Sequence, residues 1–141
     1  MNASADLEIF VVIDTNIVLD LWVFNDPAAE PLRRALSSKV RQWIATQAMR
    51  DELERVLAYP KIVLRLASNQ LTAASVLAQF DGHAQLVEAA PKALLICGDP
   101  DDQKFIDLAV THQTLLLSKD QAVLCMRKRL SVHRVQVQTV F

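Results

Sequence analysis

Acidic residues follow three short apolar runs of the chain. Asp14 follows the first run (residues 9–13), and Asp120 follows the last (115–117). The run at 94–96 is followed by Asp99, Asp101 and Asp102. If these runs are strands of an open α/β sheet, their carboxyl ends form one edge, where ligands bind. Clustered carboxylates repel one another unless a proton or a cation lies between them. Mg²⁺ and Mn²⁺ prefer oxygen ligands, so the pattern predicts metal-dependent chemistry on phosphates.

Apolar runs alternate with helical stripes along the chain. Buried strands are predicted at residues 9–13, 43–45, 94–96 and 115–117, and an alternating stretch at 132–140 predicts a last strand at a sheet edge. Helices are predicted at 15–24, from 27 or 28 to 36, at 46–57 with Thr46 as the cap, from Asp99-Pro100-Asp101 to 112, and at 120–127. Residues 61–90 predict two helices, with Gly82 as a break. This alternation predicts an α/β fold with a mostly parallel sheet covered on both faces.

Length and composition indicate one domain. The chain has 141 residues, of which 52% are hydrophobic, enough for one buried core over residues 1–141. No apolar run approaches the roughly 18 residues that a membrane helix needs, and residues 1–8 show no secretory signal pattern. Cys97 and Cys125 lack a metal-ligand spacing and are expected to be two buried thiols. A cytoplasmic protein without a membrane partner is the resulting expectation.

Charge and motif content narrow the function classes. The formal net charge is −1, which is mild evidence against broad electrostatic binding of nucleic acid. Basic residues cluster at 33–41 and at 127–129, and each cluster alone is more simply a solvated helix face. Only Gly82 and Gly98 occur, so glycine-rich dinucleotide and P-loop motifs are absent. The histidines at 83, 112 and 133 have no i, i+3 or i, i+4 pairing and predict no rival site.

Each acid also has a simpler interpretation. Asp14 and Asp120 could each be the N-cap of the helix that follows, as could the aspartates before the third core helix. Asp101 and Asp102 both precede apolar residues at helical spacing, so periodicity does not choose which of them faces the core. Glu52 borders the apolar stripe of its helix, and an exposed partner for a basic neighbour is an equal alternative. The metal-site prediction therefore rests on the acids as a set.

Three stretches carry a family resemblance. VVIDTN (residues 11–16), GDPDDQKFIDLA (98–109) and LLLSKD (115–120) resemble the PIN-domain nucleases, and most closely the branch of toxin–antitoxin system toxins. TQAMRDELERVLAYPK (46–61) resembles a helix of that branch, and the similarity spans residues 9 to 135. The resemblance implies a PIN-like α/β/α sandwich with a mostly parallel central sheet of about five strands. It also implies cleavage of RNA that depends on Mg²⁺ or Mn²⁺.

The same resemblance assigns roles residue by residue. The positions that match the family's four acids are expected to be catalytic and to bind the metal; they are Asp14, Glu52, Asp102 and Asp120. Four further positions are expected to contact substrate or to orient the acids; they are Asn16, Ser118, Asp101 and Lys119. Ser118 stands where the family usually has Thr, and Lys119 where it often has Gly. The ammonium of Lys119 could contact a substrate phosphate or compete with a metal.

Partners and alternatives follow from this assignment. The branch implies an RNA substrate, an antitoxin protein and a homodimer, and Trp22 and Phe24 fit such an interface or, equally, the core. A haloacid-dehalogenase-like phosphatase would need a second aspartate two residues after Asp14, where Asn16 stands. The remaining alternative is a non-catalytic RNA- or protein-binding module of the same fold. A cleavage assay on Asp14→Asn beside the parent separates that module from an enzyme.

Overall fold

Five parallel strands form one sheet, as the computed structural model shows for residues 9–141. The strands are β1 (Phe10–Ile13), β2 (Gln42–Ala45), β3 (Ala84–Leu86), β4 (Leu115–Leu117) and β5 (Gln136–Gln138). They lie in the order β3-β2-β1-β4-β5, and every neighbouring pair is parallel. The predicted α/β fold with a parallel sheet of five strands is therefore confirmed. The prediction for residues 1–8 lies outside the described residues.

Helices connect all of these strands. In the described residues the α-helices are α1 (Thr15–Trp22), α2 (Glu30–Ser37), α3 (Gln47–Leu57), α4 (Pro60–Ser68), α5 (Ala73–His83), α6 (Gln103–His112), α7 (Gln121–Leu124) and α8 (Arg127–Val132). Two 3-10 helices precede α2 and α6; they are Pro27–Ala29 and Pro100–Asp102. Both begin with proline, whose fixed φ suits the first turn of a helix.

The strand order places a reversal at the middle of the sheet. From β1 the chain builds outward to β2 and β3, and it then crosses back to build β4 and β5 on the other side of β1. Right-handed crossovers put α1–α5 on one face of the sheet and α6–α8 on the other. The helices that follow β1 and β4 therefore lie on opposite faces of the sheet. Open α/β sheets bind ligands in the crevice between the carboxyl ends of two such strands, here β1 and β4.

The core is centred on β1 and β4. Val11, Val12, Leu116 and Leu117 are fully buried, because helices cover both faces of these central strands. Burying a Val or Leu side chain of this kind contributes about 1.5–3 kcal/mol. The strands that carry the predicted acids are thus the most constrained part of the sheet.

The aromatic residues of the first helix belong to this packing. Trp22 stacks on Trp43 with 5.7 Å between ring centroids, and Trp43 meets Phe80 edge to face at 4.7 Å. Phe24 is partly buried, and the guanidinium of Arg65 lies 5.2 Å from its ring centroid. Of the two alternatives for Trp22 and Phe24, the packing favours core and rim positions.

The predicted strand at residues 94–96 is wrong. Leu94 is 94% exposed and Ile96 is 53% exposed, and β3 takes the edge position beside β2 instead. Side chains of α6 satisfy the backbone of this segment. Gln103 accepts from the Cys97 N–H at 2.6 Å, and Asp107 accepts from the N–H of residue 93 at 2.8 Å. These bonds replace the ladder that a strand would need.

Several helix predictions need correction as well. The helix predicted at 15–24 ends at Trp22, and the one predicted from 27 or 28 to 36 is a 3-10 turn followed by α2. Residues 61–90 hold two helices as predicted, yet the break lies at 69–72 rather than at Gly82, and β3 was missed. The helix predicted at 120–127 is two short helices, α7 and α8. Thr46 is the N-cap of α3 but makes no side-chain cap bond.

The structure also bears on the predictions for the two cysteines and for membrane helices. Cys97 and Cys125 are both free thiols, as expected, although only Cys97 is buried. Among residues 9–141, no helix has the length and apolar character needed to cross a membrane.

We predict that two leucines of the apolar runs differ sharply in their effect on stability. Leu116→Ala should lower the free energy of unfolding by about 2–5 kcal/mol, because it leaves a cavity under a central strand. Leu94→Ala, the matched control, should change it by less than about 0.5 kcal/mol, because that side chain is in solvent. Urea unfolding measures both. A large loss in Leu94→Ala would contradict the loop assignment.

Candidate active site

Asp14 lies at the carboxyl end of β1, at the switch point where the strand order of the sheet reverses. It is the N-cap of α1, and its Oδ1 accepts from the Asn16 N–H at 3.4 Å. Its own N–H donates to the Leu117 carbonyl of β4 at 2.9 Å. The side chain is buried, at 4% exposure. The capping interpretation of Asp14 therefore holds, and its second oxygen remains for another partner.

Ser118 ties the ends of β1 and β4 together. Its hydroxyl donates to Asp14 Oδ2 at 2.7 Å and accepts from the Asp120 N–H at 3.1 Å. Its own N–H donates to the Gln138 carbonyl at 3.0 Å. Ser118 is fully buried, so these bonds hold the carboxylate of Asp14 in one orientation.

Three further aspartates gather beside this pair. One carboxylate oxygen from each of Asp99, Asp102 and Asp120 lies within 4.8 Å of the other two. Asp99 is the N-cap of the 3-10 helix before α6, and Asp120 is the N-cap of α7, accepting from the Ala122 N–H at 2.9 Å. Asp99 was not among the ligands expected from the family pattern. Asp99 lies at the end of the exposed loop that the structure has in place of the strand predicted at residues 94–96.

Asp102 is the aspartate that the structure buries, whereas Asp101 is exposed. Periodicity left this choice open. The 3-10 turn at Pro100–Asp102 turns Asp102 inward and Asp101 outward. Asp101 instead contributes backbone groups: its N–H donates to Asp99 Oδ1 at 3.0 Å, and its carbonyl accepts from the ammonium of Lys104.

The acids shift one another's pKa values. Burial, the charge of Asp14, and a hydrogen bond and charge from Asp120 raise the pKa of Asp102 to about 8. Burial also raises the pKa of Asp14, against the lowering effects of the Ser118 hydroxyl and the Asn16 N–H. The Oδ2 atom of Asp102 is buried and has no hydrogen-bond partner among residues 9–141. Asp102 is therefore either protonated and neutral, or ionised with a cation at this oxygen.

Glu52 stands apart from the three clustered aspartates. Its Oε1 accepts from the Lys104 ammonium at 2.8 Å, and its Oε2 accepts from the Thr15 hydroxyl. The Lys104 and Glu52 side chains are 24% and 16% exposed. Glu52 still lies close enough to Asp14 for its charge to raise the pKa of Asp14. It borders the cluster with both of its oxygens engaged.

Thr15 and Lys104 are site residues that sequence reasoning missed. They lie 37 and 52 positions from Glu52 in the chain, so no local pattern links them to it. The one signal in the sequence is adjacency, because Thr15 follows Asp14 and Lys104 comes two residues after Asp102. Both flank an expected ligand.

Lys119 and Asn16, two other expected residues, make their contacts with groups outside the three clustered aspartates. Lys119 forms an ion pair with Asp20 at 2.5 Å. Asn16 is exposed, and its contact with Asp14 is made by its backbone N–H. Of the four residues expected to support the acids, Ser118 makes the closest side-chain contact with them.

The donor set fits a hard divalent cation. The oxygens of Asp99, Asp102 and Asp120 converge, and one buried oxygen lacks a partner. Mg²⁺ and Mn²⁺ take such carboxylate oxygens. Burial raises the pKa of the nearby Cys97 thiol, so a thiolate ligand of the kind that softer metals prefer is disfavoured at neutral pH.

The family comparison covers most of the chain. Residues 10–122 match the family model described as the PIN domain. The chain belongs to the PIN domain family. This match contains the Asp14, Glu52, Asp102 and Asp120 positions together with Thr15, Ser118 and Lys104. PIN domains are generally metal-dependent nucleases, and the acidic cluster of this PIN domain suits that chemistry. No curated protein matches the chain.

The raised pKa of Asp102 predicts how pH changes the stability of the metal-free PIN domain. The folded-state pKa of about 8 exceeds the ordinary 3.8, so folding favours the protonated acid. Stability should therefore fall as pH rises from about 4 to about 8, and then level off. Asp102→Asn removes this penalty and should be more stable than the parent at pH 8 by at least about 1 kcal/mol.

Thermal unfolding in a chelator from pH 4 to pH 9 measures this difference. The exposed neighbour provides the matched control, because Asp101→Asn removes a carboxylate from solvent and should run parallel to the parent. If the stability of the parent and of Asp102→Asn depended on pH in the same way, the pKa of Asp102 would not be raised by folding.

Proposed function

We propose that this PIN domain is a Mg²⁺- or Mn²⁺-dependent endoribonuclease that hydrolyses phosphodiester bonds in RNA. The observation that carries the proposal is the unpartnered, buried oxygen of Asp102 within the aspartate cluster. A carboxylate in that position is costly unless a cation compensates for it. The family match supports the same chemistry.

Each acidic side chain has a role in this proposal. Asp14, Asp102 and Asp120 are the proposed metal ligands at the switch point, and Asp99 joins them because of its distance to the latter two. Glu52 is the proposed fourth acid of the catalytic set, acting at the border of the cluster. A bound divalent cation would supply Lewis-acid stabilisation of the scissile phosphate and a water of lowered pKa.

The chain's own groups hold this set in place. Ser118 orients Asp14, and Thr15 and Lys104 fix the two oxygens of Glu52. Such supporting bonds keep metal ligands in the right orientation. Their loss lowers metal affinity or activity by roughly 10- to 100-fold in characterised sites. Because water is the proposed nucleophile, the products should carry 5′-phosphate and 3′-hydroxyl ends.

We predict that Asp14→Asn and Asp102→Asn each lose RNA cleavage by at least about 100-fold and bind Mn²⁺ more weakly. Each change removes a charge from the cluster and keeps the size of the side chain. Calorimetric Mn²⁺ titration and a cleavage assay on labelled RNA measure the two effects. Asp51→Asn is the control, because Asp51 is exposed on α3 and its carboxylate accepts a hydrogen bond from the Gln47 side chain at 3.0 Å, away from the clustered aspartates.

The outcomes separate an enzyme from a binding module. Equal cleavage by the parent and Asp14→Asn would sink the catalytic assignment. Salt-dependent RNA binding without cleavage, at any Mg²⁺ or Mn²⁺ concentration, would favour a non-catalytic RNA- or protein-binding module. Products with 2′,3′-cyclic phosphate ends would contradict attack by water.

The resemblance of residues 98–109 to the toxin branch supports a biological role. We propose that the protein is a cytoplasmic toxin, held inactive by an antitoxin and able to form a homodimer. Tyr59, Val63 and Leu64 expose apolar surface around α4, which suits a protein contact. Expression of the parent and of Asp14→Asn in host cells tests the role, since equal growth of the two would exclude a nuclease toxin.

A further inference from the structure

The C-terminal part of the chain has a charge opposite to that of the active site. Residues 121–141 contain Arg127, Lys128, Arg129 and Arg134 and no aspartate or glutamate, although the whole chain has a net charge of −1. All four side chains are exposed. None of them takes part in an ion pair within residues 9–141. Within the described part of the chain, positive charge is therefore concentrated on α8 and just before β5 without acidic partners.

These cations stand along a groove at the edge of the sheet. The groove has a volume of about 830 Å³ and is lined by Arg127, Ser131 and Arg134 together with residues 135–140. β5 pairs with β4 on one side only, so its other edge faces the groove in the described part of the chain. Arg127 and Arg134 both reach the groove, and Lys128 and Arg129 neighbour them on α8.

The groove runs towards the acidic cluster. β5 is parallel to β4, and at its carboxyl end the Gln138 carbonyl accepts from the Ser118 N–H at 3.0 Å. Ser118 in turn donates to Asp14 at 2.7 Å. Residues 138–140 line the groove, so one end of the groove adjoins the strand ends that hold the site. The other end is marked by Arg134, ahead of β5.

We propose that this α8–β5 groove binds the phosphate backbone of single-stranded RNA and leads it to the acidic cluster. The inference rests on the proposed ribonuclease function. A cluster of carboxylates repels a polyanion, so a substrate strand needs cations nearby to offset that repulsion. Arginine offers planar, bidentate contacts to phosphate. Contacts of this kind bind RNA without regard to sequence.

The short edge strand and the charge of the groove favour RNA over a peptide strand as the occupant. A peptide that adds to a sheet edge gains affinity from main-chain bonds along the edge strand, and β5 offers only three residues. The charge gives a stronger argument, because Arg127 and Arg134 line the groove and have no acidic partner within residues 9–141, as a phosphate backbone requires. A second copy that docked through the same face, as in a two-fold symmetric dimer, would place like charges opposite each other.

The test measures RNA binding separately from cleavage. A 20-nucleotide single-stranded RNA is titrated in a chelator into the parent and into Arg127→Gln/Arg134→Gln at several salt concentrations. The double variant should bind about tenfold more weakly, and the slope of log K against log salt should shrink by about 1.4 for two lost phosphate contacts. Arg55→Gln/Lys61→Gln is the control with the same charge change, at exposed positions on and after α3.

Each outcome decides the matter. Loss of affinity and slope in the groove variant, with the control unchanged, supports the groove even if the parent cleaves no RNA and the proposed enzyme fails. Unchanged binding by the groove variant overturns the inference even if the parent is an active ribonuclease. Equal losses in both variants also overturn it, because net charge alone would then explain binding. So would a loss of self-association, seen by sedimentation, without a loss of RNA affinity.

Discussion

Repulsion among partly buried carboxylates is the constraint on which the rest of the site depends. Burial, together with the charges of Asp14 and Asp120 and a hydrogen bond with Asp120, raises the pKa of Asp102 to about 8. Burial also raises the pKa of Asp14, and the charge of Asp120 adds to that rise. Charges this close would push the strand ends apart unless other groups offset them. The Ser118 hydroxyl and the Asn16 N–H offset part of the charge at Asp14. A proton or a cation must provide the remainder at Asp102.

The sheet supplies the rigidity that this crowding requires. β1 and β4 are central, parallel and buried under helices on both faces, so close packing opposes displacement of their ends. The reversal of strand order opens a crevice between those ends. Stability and function thus involve the same part of the molecule. The most tightly packed strands carry the acidic side chains whose burial is energetically unfavourable, as expected of a functional site.

Charge is also divided on a larger scale. The acidic cluster lies at the carboxyl ends of β1 and β4, and the α8–β5 groove lies along β5. A backbone hydrogen bond from Ser118 to Gln138 joins the ends of β4 and β5 between them. A protein with a net charge of −1 can in this way present a basic surface and an acidic cluster within one domain. The chain's overall charge therefore says little about its affinity for nucleic acid, because local fields decide association.

The sequence alone determined the class of fold and the kind of site. Apolar runs before Asp14 and Asp120, and the helical spacing after Asp102, follow from residues a few positions apart, which is the range over which periodicity acts. The tertiary structure decided what depends on distant partners. It chose residues 84–86 over 94–96 as the edge strand, because β2 pairs with the former while Gln103 and Asp107 bond the backbone beside the latter. It also buried Asp102 rather than Asp101, added Asp99, and joined Glu52 to Thr15 and Lys104 across many residues. Contacts of that span are set by how elements pack, and no local pattern encodes them.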